Sequence, residues 1–113
     1  MKDVSLTALT TLSCHAEDAC SSQPILNDQS AKQTLDALKK MGVIREGDVP
    51  SPLLISHIAL RAKQYDDVAR DFLRQHPAGS IVNIGCGLDH RFERIDNGKV
   101  TFYDLDLPEI IAL

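Results

Sequence analysis

The run Ser80-Ile81-Val82-Asn83-Ile84-Gly85-Cys86-Gly87-Leu88-Asp89-His90-Arg91 decides the reading of this chain. Its first five residues are largely apolar and β-branched and lie between Gly79 and Gly85, the pattern of a short strand buried on both faces of a parallel sheet. Glycines at the carboxyl end of such a strand let backbone N–H groups come close to a ligand, since neither has a Cβ and both tolerate positive φ. Downstream, Lys99-Val100-Thr101-Phe102-Tyr103-Asp104-Leu105-Asp106 reads as a second strand. An acidic residue, Asp104 or Asp106, therefore stands about 20 residues past the glycines, at the tip of the next strand, where it accepts hydrogen bonds from ribose hydroxyls. Strand, glycine turn and distant carboxylate describe a nucleoside crevice; a merely structural tight turn is the competing reading.

The turn itself narrows the choice of nucleoside. A dinucleotide fingerprint needs a third glycine three positions after the second, and His90 stands there. Asp89 within the turn repels phosphate but suits a ligand that carries ammonium and sulfonium charges. S-adenosylmethionine fits that description better than NAD.

Upstream, the chain reads as helices. Ser5 is expected to cap a segment that runs through Glu17, with Leu9, Leu12 and Ala16 at helical spacing and Cys20-Ser21-Ser22-Gln23-Pro24 as its breaker. Asp28 or Ser30 caps a second helix, which carries Ala31, Leu35 and Leu38 on one face, Lys39 and Lys40 in its last turn and Gly42 just beyond. After a loop from Arg45 to Pro50, Ser51-Pro52 opens a helical pattern that continues to Gln75. That pattern exceeds most globular helices, so a break is expected at Tyr65-Asp66-Asp67, with an aspartate recapping the remainder. His76-Pro77-Ala78-Gly79 ends it, and Pro108 opens a further helix at Glu109. The division falls into residues 1–77, a helical region, and 78–113, the start of an α/β domain.

Composition limits what the chain does. It has 113 residues, 12 Lys and Arg against 16 Asp and Glu for a net charge of −4, and 43% hydrophobic residues. That is ordinary globular composition, against a strongly basic nucleic-acid binder and against disorder. No apolar run approaches the roughly 18 residues that a membrane span requires, so a soluble, cytoplasmic chain is expected. Three cysteines, Cys14, Cys20 and Cys86, argue against a disulfide framework and match no zinc spacing; no metal site is expected.

The turn, with Phe92 after it, and the later Tyr103-Asp104-Leu105-Asp106-Leu107-Pro108-Glu109 resemble the leucine carboxyl methyltransferase family and its bacterial small-molecule relatives. Leu60-Arg61-Ala62-Lys63-Gln64-Tyr65-Asp66 resembles the arginine segment of that family, and Ser5 to Ala16 its N-terminal helix. The resemblance implies a Rossmann-like class I methyltransferase that uses S-adenosylmethionine, with Arg61 pairing the methionine carboxylate. It implies Gly85 and Gly87 lining the cofactor, Asp89 near its amino group and Asp106 on the ribose, with Asp104 as fallback. Arg91 is expected to anchor the turn. Cys86 and His90 depart from the family's usual alanine and threonine, and His15 from its usual arginine.

The family's sheet has seven strands, and its members run two to three times this length. The chain is thus expected to be an N-terminal part, α/β with helices followed by the first two parallel strands, without turnover alone. The catalytic residues stay unassigned, and the acceptor is a small molecule or a protein C-terminal carboxylate. Exposed strand edges are expected to favour self-association. A helical interaction or oligomerisation module and an NAD-type nucleotide binder are the alternatives.

Overall fold

Helices precede any strand, in the predicted order. The computed structural model describes residues 3–44 and 49–112. Its elements are α1 (Asp3–Ala19), α2 (Gln29–Lys40), α3 (Pro52–Gln75), β1 (Ser80–Ile84), α4 (Arg91–Ile95), β2 (Thr101–Leu105) and α5 (Pro108–Ile111). Part of the expected Arg45–Pro50 loop, residues 45–48, lies outside the described residues.

α1 is already helical at Ser5, which therefore lies inside the helix instead of capping it. Its hydroxyl residues, poor helix formers, bond back along the helix: Thr11 Oγ1 donates to the Thr7 carbonyl at 3.1 Å and Ser13 Oγ to that of Leu9 at 3.0 Å. Leu12 and Ala16 of α1 pack against Ala31, Leu35 and Leu38 of α2 as one apolar core. The connection between them is tied by the buried Asp18, whose carboxylate accepts the N–H groups of Ile25, Leu26 and Asn27 at 2.8 to 2.9 Å. Asp28, not Ser30, caps α2 by accepting the Ala31 N–H at 3.1 Å. Ser30 already belongs to the first turn, whereas a cap must precede it.

Ser51 caps α3, accepting the Leu54 N–H at 3.3 Å, with Pro52 at the first helical position. The expected break does not occur: α3 continues for 24 residues. Asp66 is 1% exposed and binds two arginines of α4, so its carboxylate is a long-range anchor instead of a cap. A local pattern cannot distinguish those uses, because the partners lie about 25 residues away.

β1 and β2 pair in parallel, from Ser80 opposite Thr101 to Ile84 opposite Leu105. Ile81 and Phe102 pack towards Ala69, Leu73 and Ile95, a second core shared by α3, α4 and the sheet. The other face is open among the described residues, with Val82 50%, Ile84 81%, Tyr103 53% and Leu105 51% exposed. The expectation of a strand buried on both faces is therefore corrected. An all-apolar run records the tolerance of both faces for burial, while the helices described here cover one. The polar stretch after the turn forms the short helix α4, and no helix among the described residues is long and apolar enough to cross a membrane.

Leu12, 2% exposed, is the most deeply buried leucine of the first core. Leu12→Ala is expected to cost about 2–5 kcal/mol in urea unfolding. Leu60→Ala, at a half-exposed position of α3, is expected to stay within about 0.5 kcal/mol.

Candidate functional site

The bend after β1 rests on two left-handed glycines, Gly85 at φ +66° and Gly87 at φ +57°. A Cβ at Gly85 would meet no atom within 4 Å, so the space beyond this bend is open to a ligand. At Gly87 a Cβ would lie 3.3 Å from the Ala8 side chain, a tight contact that the glycine avoids where α1 approaches the bend. The N–H groups of Gly85 and Cys86 donate to the Leu105 carbonyl at 2.8 and 3.1 Å, and that of Gly87 to Asp106 Oδ2 at 2.7 Å. The glycines thus serve close approach, while their N–H groups join the bend to the end of β2.

Over this bend lies a cavity of about 360 Å³, walled by α1, α3 and the turn. Arg61, Gly85, Gly87, Asp89 and Asp106 all border it, together with Thr7, Thr11, His15 and Tyr65, to which the sequence alone assigns no part in binding. Asp104 is elsewhere: its carboxylate accepts from Asn83 Nδ2 at 3.2 Å and faces a separate cleft beside Phe92 and Phe102. Where β2 ends, the chain turns Asp106 back to the bend, and the expected two-residue equivalence of the aspartates is lost. Among the described arginines, Arg61 alone has no carboxylate or carbonyl partner and is exposed at the cavity wall.

Behind the turn is a network of ion pairs. Arg91 and Arg94, one helical turn apart in α4, both reach Asp66: Arg91 Nε to Oδ1 at 2.9 Å and Arg94 Nε to Oδ2 at 2.6 Å. Arg94 also donates from Nη1 to Asp28 Oδ2 at 2.8 Å and from Nη2 to Asp89 Oδ1 at 3.0 Å. Arg91 Nη1 donates to Asn83 Oδ1 at 2.8 Å and lies 3.3 Å from Asp89 Oδ2, with its guanidinium 5.5 Å from the Tyr65 ring centre. Arg91 thus anchors the turn. His15, Asp28 and Asp89 bring ligand atoms within 4.8 Å of one another, close enough to hold a cation, and the Arg94 guanidinium already bonds both carboxylates.

Comparison with known proteins then identifies the family. The family model for leucine carboxyl methyltransferase matches residues 8–113. The chain belongs to the leucine carboxyl methyltransferase family. It is 31% identical over 109 residues to a tetracenomycin polyketide synthesis O-methyltransferase of Streptomyces glaucescens, covering 95% of this chain and 39% of that protein. It is also 31% identical over 117 residues to an S-adenosyl-L-methionine-dependent methyltransferase of Gibberella zeae, covering 95% of this chain and 38% of that protein. The chain therefore spans about two fifths of the length of these relatives. No solved structure gives a significant match.

Within this family member, burial and charge divide the titratable groups around the turn. His90 stands above its ordinary 6.5, chiefly because the Asp28 carboxylate faces it, against the opposing effect of burial. The separation of Nδ1 from Asp28 Oδ2 is 3.7 Å, too long for a hydrogen bond but close enough for charge attraction. Burial drives His15 the other way, below 6.5, with Arg94 adding to the effect and Asp89 opposing it. Burial tends to raise Asp28, but His90, the Ala31 N–H and Arg94 together hold it below its usual value. Burial, reinforced by Asp104, Asp106 and Asp89, pushes the Cys86 thiol up to about 11, so it is neither nucleophile nor base near neutral pH.

Two outcomes follow. A group whose value rises on folding stabilises the fold fully below its unfolded value and loses that effect as pH climbs through the folded one. The stability difference between the native chain and His90→Thr is expected to be largest below pH 6.5 and to shrink as pH rises above it. Urea unfolding across that range checks the sign, with the opposite contribution of His15 common to both proteins. Gly87→Ala forces a left-handed alanine against Ala8, and is expected to cost at least about 1–2 kcal/mol in the same assay.

Proposed function

We propose that this chain supplies the S-adenosylmethionine crevice of an O-methyltransferase that acts on a small-molecule oxygen. The observation that carries the reading is the convergence on one cavity of an unpaired arginine, an open glycine bend and a carboxylate at the tip of the adjacent strand. A volume of about 360 Å³ falls within the range of about 300–1,000 Å³ for small-molecule sites. The printed names of both relatives, an O-methyltransferase of polyketide synthesis and an S-adenosyl-L-methionine-dependent methyltransferase, support the same chemistry.

The residues fit the ligand by chemistry. Arg61 offers a guanidinium fork to the methionine carboxylate. Gly85 leaves room for the ligand to lie against the backbone. Asp106 keeps acceptor lone pairs for ribose hydroxyls beyond those used on Gly87 and Leu107. When bound, S-adenosylmethionine supplies an electrophilic methyl group on a sulfonium sulfur. The chain's contribution is to hold that methyl in line with an acceptor oxygen, which lowers the barrier through positioning. A carboxylate acceptor is ionised near neutral pH and needs no base; a hydroxyl acceptor needs one, and Cys86 is held in the wrong state to serve. The 113-residue chain, about two fifths of its relatives' length, is expected to bind the nucleoside without turnover. The free thiols of Cys14, Cys20 and Cys86 suit a reducing cytoplasm. The exposed edges of the two-stranded sheet, beside an open face with Val82 and Ile84, favour self-association, checked by a sedimentation coefficient that rises with concentration.

Calorimetry with S-adenosylhomocysteine tests the reading. The chain is expected to bind it and not NAD, and Arg61→Ala or Asp106→Ala to weaken binding by about 10- to 100-fold, the loss of one charge-assisted contact. NAD binding in preference, or affinities unchanged in both variants, overturns it.

A further inference from the structure

The ion-pair network behind the turn has a role that cavity chemistry does not use. We propose that Asp66 and Asp89 are positioning residues: through Arg91 and Arg94 they clamp the glycine bend against α3, and Asp89 acts on a bound nucleoside by fixing the bend instead of touching the ligand. The proposal rests on the reading of the cavity as an S-adenosylmethionine site and changes the part that Asp89 plays in it.

Three observations carry it. First, both oxygens of Asp89 are engaged, Oδ1 by Arg94 Nη2 at 3.0 Å and Oδ2 by Arg91 Nη1 at 3.3 Å, with the side chain 9% exposed. Charged donors thus already occupy both oxygens of a side chain with little open surface, which leaves a ligand ammonium few well-oriented lone pairs to meet there. Second, Asp66 does not border the cavity, is 1% exposed and receives both arginines, so its charge is compensated inside a desolvated cluster and not by a ligand. Third, each arginine reaches a further element: Arg91 bonds Asn83 in β1 at 2.8 Å, and Arg94 bonds Asp28, the cap of α2, at 2.8 Å. The clamp therefore locks the bend to β1, α2 and α3 together. Planar forks with several donors suit that task, where a lysine would reach fewer partners.

Two measurements test it on this chain. Amide hydrogen exchange reports opening of the bend without any ligand. Asp66→Asn and Asp89→Asn are both expected to speed exchange at residues 85–89 by tenfold or more. Calorimetry with S-adenosylhomocysteine, which carries the amino acid, and 5′-methylthioadenosine, which lacks it, separates contact from positioning. Under the proposal, each variant weakens both ligands by the same factor. If Asp89→Asn weakens S-adenosylhomocysteine tenfold and leaves 5′-methylthioadenosine unchanged, Asp89 touches the amino group and the proposal is wrong. Unchanged exchange at the bend in Asp66→Asn overturns it equally. Should Asp66→Asn fail to fold by circular dichroism, Arg94→Lys, which keeps the charge and loses the fork, is expected to give the same pattern in weaker form. A native chain that binds neither nucleoside sinks the cofactor reading, and the exchange result then decides the clamp on its own.

Discussion

A buried carboxylate that faces two guanidinium groups holds this molecule together. Asp66 sits near the middle of α3, almost wholly removed from water, and its charge is tolerable only because Arg91 and Arg94 meet both of its oxygens. Such a cluster need not add much to net stability, since desolvation offsets most of the attraction, but removing one member leaves an uncompensated charge at a cost of about 3–5 kcal/mol. What it contributes is uniqueness of arrangement. α3, α4, the turn and the cap of α2 meet where Arg91 and Arg94 bond the carboxylates of Asp66, Asp89 and Asp28.

From that constraint follows the geometry of the crevice. β1 delivers the chain to Gly85, the left-handed bend reverses it, and the arginines of α4 draw the far side of the turn back towards α3. The cavity is the space left between this bend and the helices α1 and α3. Labour is divided across it. Arg61, on the open wall, keeps its charge available, whereas Arg91 and Arg94, behind the turn, have theirs matched by carboxylates. Cys86, between the glycines of the turn, and His90, just after them, lie on this boundary. Burial keeps the first a neutral thiol, and the carboxylate of Asp28 favours a charged imidazole at the second.

Much of this was legible in the sequence because it rests on local rules. The caps of α2 and α3, Pro52 at a helix start, the two glycines and the β-branched run before them each follow from backbone preferences of neighbouring residues. The parallel pairing of β1 with β2, and the separation from Gly85 to Asp106, came from the same source with the family's motifs beside it. Where reading failed, a local signal had a distant use. Tyr65-Asp66-Asp67 resembles a cap in isolation, yet Asp66 answers arginines about 25 residues away. Ile84 resembles a core residue and is 81% exposed. Asp104 and Asp106 resemble equivalent strand residues, yet β2 stops at Leu105 and the chain turns between them.

By itself, then, the sequence determined the order of elements, the strand–glycine–strand unit and the family, because these depend on near neighbours and on motif spacing. Only the tertiary structure decided which of Asp104 and Asp106 faces the cavity, which of the described arginines remains unpaired and which carboxylates are committed to ion pairs. Charges are matched through space, between residues whose separation along the chain carries no information about their distance.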